Sequence, residues 1–216
     1  MTSVAKQVWK AIEEDIVIRR SMEKKIVNIR ALAVYIIKEH KLPATIDAVI
    51  TAIRRYKEDG PLEKKYEEAK KIISLSEDVR LTSNIISIAI EKNKKTQEIL
   101  QKVFSLIDYE KGQLLVIIQG EGSIKIMINK KNEKKILSCI DQKSIIKIEG
   151  NLAQINIQLS EVAVKTPGII TVLSTELMMH NINVVEVMSC VPEMFFFVKQ
   201  KDVVKAYELL FNLCGI

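Results

Sequence analysis

The stretch Val164–Cys190, VKTPGIITVLSTELMMHNINVVEVMSC, decides how the C-terminal part of the chain is read. Thr166 suits a helix N-cap, and Pro167 suits the first helical position, where a missing N–H costs nothing. An apolar run of helical length follows, Asn181 suits a left-handed helix end, and INVVEVMSC then reads as a strand. Gly168 removes a side chain beside the first-turn amides. The N–H groups of Gly168 and Ile169 are then open to an anion, which the helix dipole favours. Asn183 opens the following strand with both a donor and an acceptor. Thr166, Pro167, Gly168, Ile169 and Asn183 together predict a clamp for a small zwitterion. On the plainer reading, Thr-Pro-Gly only starts a helix. His180 is expected to meet the carbonyls at the helix end, and Met178, Met179 and Met188 to fill core or interface.

Outward from this stretch, the hydrophobic period changes near residue 81. NIISIAI is strand-like and KTQEILQKVFSLI helical, while QLLVIIQGEGSIKIMIN gives two strands around Gly120 and Gly122. NEKKILSCI is helical and SIIKIEG a strand, so residues 81–150 read βαββαβ. Residues 151–216 begin again with the strand LAQINIQLS, the helix from Pro167, the strands INVVEVMSC and MFFFVKQ, and the helix DVVKAYELLFNLC. The expected class is α+β, with two ferredoxin-like βαββαβ units, each an antiparallel sheet with its helices on one face. The second unit reaches Ile216 without a final strand, so its sheet is expected to be short or completed by the first unit or a partner chain. An open edge carrying Phe195, Phe196 and Phe197 would favour a homodimer.

Val164–Cys190, followed by FFFVKQKDVVKAYELL, resembles an ACT domain, and in particular the tandem ACT pair at the C-terminal end of aspartate kinases. The resemblance rests on residues 152–213. It implies a regulatory module that binds an amino acid or a related small effector where domains pair, without the kinase catalyst. Helix-turn-helix segments joined to ACT-like domains also resemble archaeal regulators of amino-acid metabolism. The first unit departs from the pattern, with EKNKKTQEI where the second has VKTPGII.

Residues 1–58 read as helices. Val4, Val8, Trp9 and Ile12 form one apolar stripe, and Ile29, Leu32, Ala33, Ile36 and Ile37 a second, capped by Asn28. Pro43 breaks the chain, Thr45 caps a third helix, and Ile46, Val49, Ile50 and Ile53 form its buried stripe. Asp47, Thr51, Arg54, Arg55 and Glu58 are left outside. Three short helices with a tight connection before the last suggest a helix-turn-helix. Thr45, Thr51, Arg54 and Arg55 are the candidate nucleic-acid contacts, and a protein-docking module is the alternative. Residues 59–80, punctuated by Gly60 and Pro61, read as a connecting helix with Glu63, Lys64, Glu67, Glu68 and Lys71 on a solvated face.

Charge follows the same division. Residues 1–58 hold 12 Lys+Arg against 7 Asp+Glu, and residues 59–216 hold 21 against 20. The basic excess allows DNA at the N-terminal end. Against catalysis stand only two histidines, His40 and His180, no metal-ligand spacing, no P-loop in QGEGSIK and no nucleophile turn. No cofactor or metal is expected. Cys139, Cys190 and Cys214 read as reduced core residues. No apolar run is long enough to span a bilayer, and the N-terminus lacks a secretory signal, so a cytoplasmic location is expected. The function expected is an amino-acid-sensing regulator acting through DNA; the alternative is a non-catalytic subunit docked on an amino-acid biosynthetic enzyme.

Overall fold

A computed structural model describes residues 3–57 and 62–216. Glu58, Gly60 and Pro61, and the Glu63 side chain, lie outside what it describes. The chain divides into two compact units, Met1–Glu68 and Ala69–Ile216.

The first unit is helical: α1 (Val4–Glu14), α2 (Ile16–Glu23), α3 (Ile29–Glu39) and α4 (Ile46–Arg55), with the start of α5 (Leu62–Ile73). Each of the first four helices begins on a side-chain cap, from Ser3, Asp15, Asn28 and Thr45 respectively. Asp15 both ends α1 and caps α2, with Oδ1 accepting from Val17 and Ile18. That short helix is the one the apolar periodicity did not separate. Val8, Ile12, Leu32, Ile36, Val49 and Ile53 meet in one core, and the Trp9 indole donates to the Ala52 carbonyl (2.9 Å). The turn between α3 and α4 is six residues, His40–Thr45, longer than the usual tight connection of a helix-turn-helix.

The second unit is built on six antiparallel strands: β1 (Asp78–Glu91), β2 (Leu115–Gln119), β3 (Ser123–Asn129), β4 (Ile145–Gln158), β5 (Val184–Cys190) and β6 (Glu193–Lys199). Its helices are α6 (Lys94–Ser105), α7 (Glu133–Leu137), α8 (Ile169–Met179) and α9 (Val203–Cys214). The strand order is β2-β3-β1-β4-β6-β5. SIIKIEG and LAQINIQLS, read from sequence as two strands, are one strand of 14 residues, as is β1. The repeat is therefore βαββα, not βαββαβ.

Each long strand does two jobs. Ile85–Glu91 of β1 lies between β3 and β4, whereas Asp78–Thr82 pairs with β4 alone; Leu152–Gln158 of β4 lies between β1 and β6, whereas Ile145–Glu149 pairs with β1 alone. The first half of each strand thus supplies the strand missing from the other repeat. The change of role occurs at Asn84 and Asn151, both in the left-handed region (φ 57° and 55°), which Asn tolerates better than most residues. The second repeat's sheet is completed by β1 of the first repeat, one of the alternatives expected from the sequence. A corollary corrects the expected Phe edge: β6 is an interior strand, Phe196 and Phe197 are fully buried, and no open Phe edge remains to argue for a dimer.

One face of the sheet carries the helices. Ile86, Ile88 and Ile90 of β1 and Ile124, Ile126 and Ile128 of β3 pack with Leu100 and Val103 of α6 and Ile136 beside them. The other face gathers Ile85, Met127, Leu152 and Phe197, with Val116 and Val185 brought over them from the two outermost strands, so the sheet is strongly curled. Cysteine placement also differs from expectation. Cys214 is buried, and burial raises its thiol pKa, but Cys190 is exposed because it ends an edge strand.

Candidate functional site

The two repeats start their first helices differently. At α6 the entry is closed: Asn93 Oδ1 accepts from the Thr96 amide (3.0 Å), and Thr96 Oγ1 accepts from the Asn93 amide (2.9 Å). This is a capping box, which satisfies the first-turn amide of Thr96 and the amide of Asn93 before it. At α8 the cap position is Gly168, with φ 99° and no side-chain cap. The amides of Ile169, Ile170 and Thr171 open that helix with no intrahelical acceptor, at the positive end of the helix dipole.

Those residues line a groove of about 240 Å³. One wall is Thr166 and the helix entry from Gly168 to Thr171; another is Ser189 at the end of β5 with Val191 and Met194 across the turn; Leu159, Ala163 and Val164 complete it. Its polar groups are hydroxyls and amides, and no charged side chain lines it. Such a groove offers donors to one carboxylate and apolar contact to the rest of a small molecule.

The expected residues are only partly brought together. Thr166, Gly168 and Ile169 line the groove. Thr166 is not the cap of α8, because its Oγ1 donates to the Val162 carbonyl (2.9 Å) and ends the 3-10 turn Glu161–Lys165. Pro167 is exposed, precedes the helix and does not line the groove, since α8 begins two residues later than Thr-Pro-Gly suggests. Asn183 is exposed beyond the other end of α8, a helix about 16 Å long, so it does not share a site with Gly168. Ser189, Thr171 and Met194 were missed. Their signal is the return of β5 and β6 past the helix entry, which is a matter of tertiary register. Asn181 and His180 do terminate α8 as expected: Asn181 has φ 57°, and His180 Nδ1 lies 2.9 Å from the Glu176 carbonyl.

In the helical unit, Asp47, Ala48, Thr51, Arg54 and Arg55 form the exposed stripe of α4. Thr45 Oγ1 accepts from the Ala48 amide (3.3 Å) and Thr51 Oγ1 donates to the Asp47 carbonyl (2.8 Å), so both hydroxyls serve the helix itself. Arg54 and Arg55 extend from the last turn. Among the described residues, no group of three His, Cys, Asp or Glu is placed to hold a metal ion, and no helix is long and apolar enough to cross a membrane.

No protein family and no curated protein matches the chain by sequence. Solved structures do match. Aspartate kinase from Clostridium acetobutylicum is 22% identical with a TM-score of 0.51, over 64% of this chain and 34% of that one. The regulatory subunit of aspartate kinase from Thermus thermophilus, in a ligand-free form, is 15% identical with a TM-score of 0.50, over 64% of this chain and 98% of that one. Aspartate kinase from Synechocystis is 16% identical with a TM-score of 0.53, over 66% of this chain and 27% of that one. This chain therefore spans about a third of the Clostridium enzyme and nearly all of the Thermus regulatory subunit. At these identities the likeness is one of fold, shared with these aspartate kinases and with the Thermus regulatory subunit.

Proposed function

We propose that this chain is a non-catalytic, amino-acid-sensing regulatory protein whose effector sits in the groove at the entry of α8. The observation that carries the proposal is the contrast between two equivalent helix starts: α6 begins on a capping box, whereas α8 has no side-chain cap and its first residues line a groove. An effector carboxylate takes those amides, Ser189 and Thr171 supply hydroxyls, and Val164, Ile170 and Met194 hold the aliphatic part. An uncharged side chain suits the groove best, because a charged one would be desolvated without a partner. The likeness to the Thermus thermophilus regulatory subunit agrees with a regulatory role. Isothermal titration of the full chain with each common amino acid in turn tests the reading. The expected result is saturable binding that Ser189→Leu removes by filling the groove, while the variant keeps its fold. If no amino acid binds the wild type, the reading fails.

The output belongs to the helical unit. In the leading reading α4 carries Arg54 and Arg55 to DNA phosphates, with Thr45 and Thr51 on the same helix. Docking on an amino-acid biosynthetic enzyme is the second reading. The exposed Ile16, Val17, Ile26, Val34 and Tyr35 of this unit would serve such docking.

A further inference from the structure

On the face of the sheet away from the helices lies a second cavity of about 240 Å³, bounded by β1, β3, β4 and the inturned edge strand β5. Strands β3 and β5 are separated by β1, β4 and β6, a span of about 19 Å in a flat sheet. Here Lys125 of β3 and Glu186 of β5 form an ion pair. The curl therefore turns the space between them into a trough.

The strand register orders its side chains in two rows. Ala89 stands directly between Lys125 and Lys147, and Ser87 stands directly between Met127 and Glu149. In the other repeat, the positions three and five residues past the left-handed Asn hold Gln154 and Asn156, paired with Phe197 and Phe195. One half of this face is thus filled by large side chains, and the equivalent half is hollow over Ser87 and Ala89. Ser87 is 7% exposed, and its hydroxyl has no partner among the hydrogen bonds of the described residues. The rim carries both signs: Lys125 with Glu186, and Glu149 held by Lys147 (2.8 Å) and Lys199 (2.7 Å).

We infer that this trough is a second binding site, for a small zwitterion of the amino-acid class. Its carboxylate lies over Ala89 between the Lys125 and Lys147 ammonium groups, and its ammonium lies toward Glu149 and Glu186 beside the Ser87 hydroxyl. Two carboxylates on the rim argue against inorganic phosphate or a polyanion, and the lining lysines Lys125 and Lys147 argue against a simple cation. The inference stands on the strand register and the unequal repeats, and does not rest on the groove at α8.

Amide chemical shifts of the full chain separate the two sites. Each common amino acid is added at about 10 mM, enough to fill most of a roughly millimolar site. One or more should move the amides of Ser87, Ala89, Lys125 and Lys147, in the Ser189→Leu variant as in the wild type. Lys147→Gln, at an exposed position that leaves Glu149 its Lys199 partner, should weaken this response at least about tenfold. Responses at Ile169–Thr171 and Ser189 should be unaffected by Lys147→Gln. The methyl ester of the best binder, which lacks the carboxylate, should lose the trough response. If no amino acid shifts the Ser87–Lys147 set, or if the ester binds equally well, the inference is overturned, whatever happens at α8.

Discussion

Glu149 is held well below the usual carboxylate range by two lysines. Hydrogen bonds from Lys147 first and Lys199 second, with smaller Coulombic contributions from both, bring its pKa from the usual 4.5 to about 2. A depressed carboxylate stabilises the fold fully above its unfolded pKa and loses that contribution as pH falls through the folded one. The window here is thus from about 4.5 down to about 2. Because both lysines are partly exposed, the contribution is about 1 kcal/mol and not the full linkage value. Urea unfolding of the wild type and Glu149→Gln across this range should give curves that differ at neutral pH and converge by about pH 2. Parallel curves would mean that the ion pairs contribute nothing. The Lys147–Glu149 spacing of two on one strand can be read from the sequence, but the approach of Lys199 from β6 cannot, because it depends on how β4 and β6 lie side by side.

Among the elements, the two helix entries make opposite demands on their first residue. Asn93 closes α6, so Asn93→Ala should cost about 1 kcal/mol. Gly168 precedes α8 with φ 99°, so Gly168→Ala should also cost about 1 kcal/mol, through backbone strain and not through a missing cap. Equilibrium denaturation checks both, and an Asn93→Ala variant as stable as wild type would show the capping box to be unimportant. Most elements were legible because their period is local: the strands around Gly120 and Gly122, the helix α9 and the stripes of α3 and α4 can each be read within a few turns. The continuity of β4 was not legible, because Gly150-Asn151 looks like a strand end and is instead a left-handed step within one strand. The entry of α8 was legible in kind but not in position. Pro167 suits a first helical turn, yet the Thr166 hydroxyl is used by the preceding 3-10 turn and the helix starts at Ile169. Asn183 failed for a different reason: sequence proximity to the helix put it in the clamp, and the length of the helix removes it.

For the whole molecule, the fold supplies a reason for tandem repeats: neither βαββα unit has a complete sheet until the first half of the other unit's long strand is laid beside it. One unit folding without the other would expose β-edges, which soluble proteins avoid. The helical unit tests the output. If α4 meets DNA, replacing Arg54 and Arg55 together by Ala should weaken binding across sequences and lower the salt slope by about 0.9 for each phosphate no longer neutralised. An unchanged slope would reject the DNA reading, and retention of a biosynthetic enzyme by the wild type would favour docking. The central claim is that the uncapped entry of α8 is an amino-acid site. Its most direct test is thermal unfolding of the wild type and Ser189→Leu with each common amino acid at saturation. At about 100 times its dissociation constant the effector should add about 2.7 kcal/mol of stability to the wild type, with the increment absent in Ser189→Leu. An equal increment in both proteins would place the effector elsewhere, and none in the wild type with any amino acid would contradict the claim.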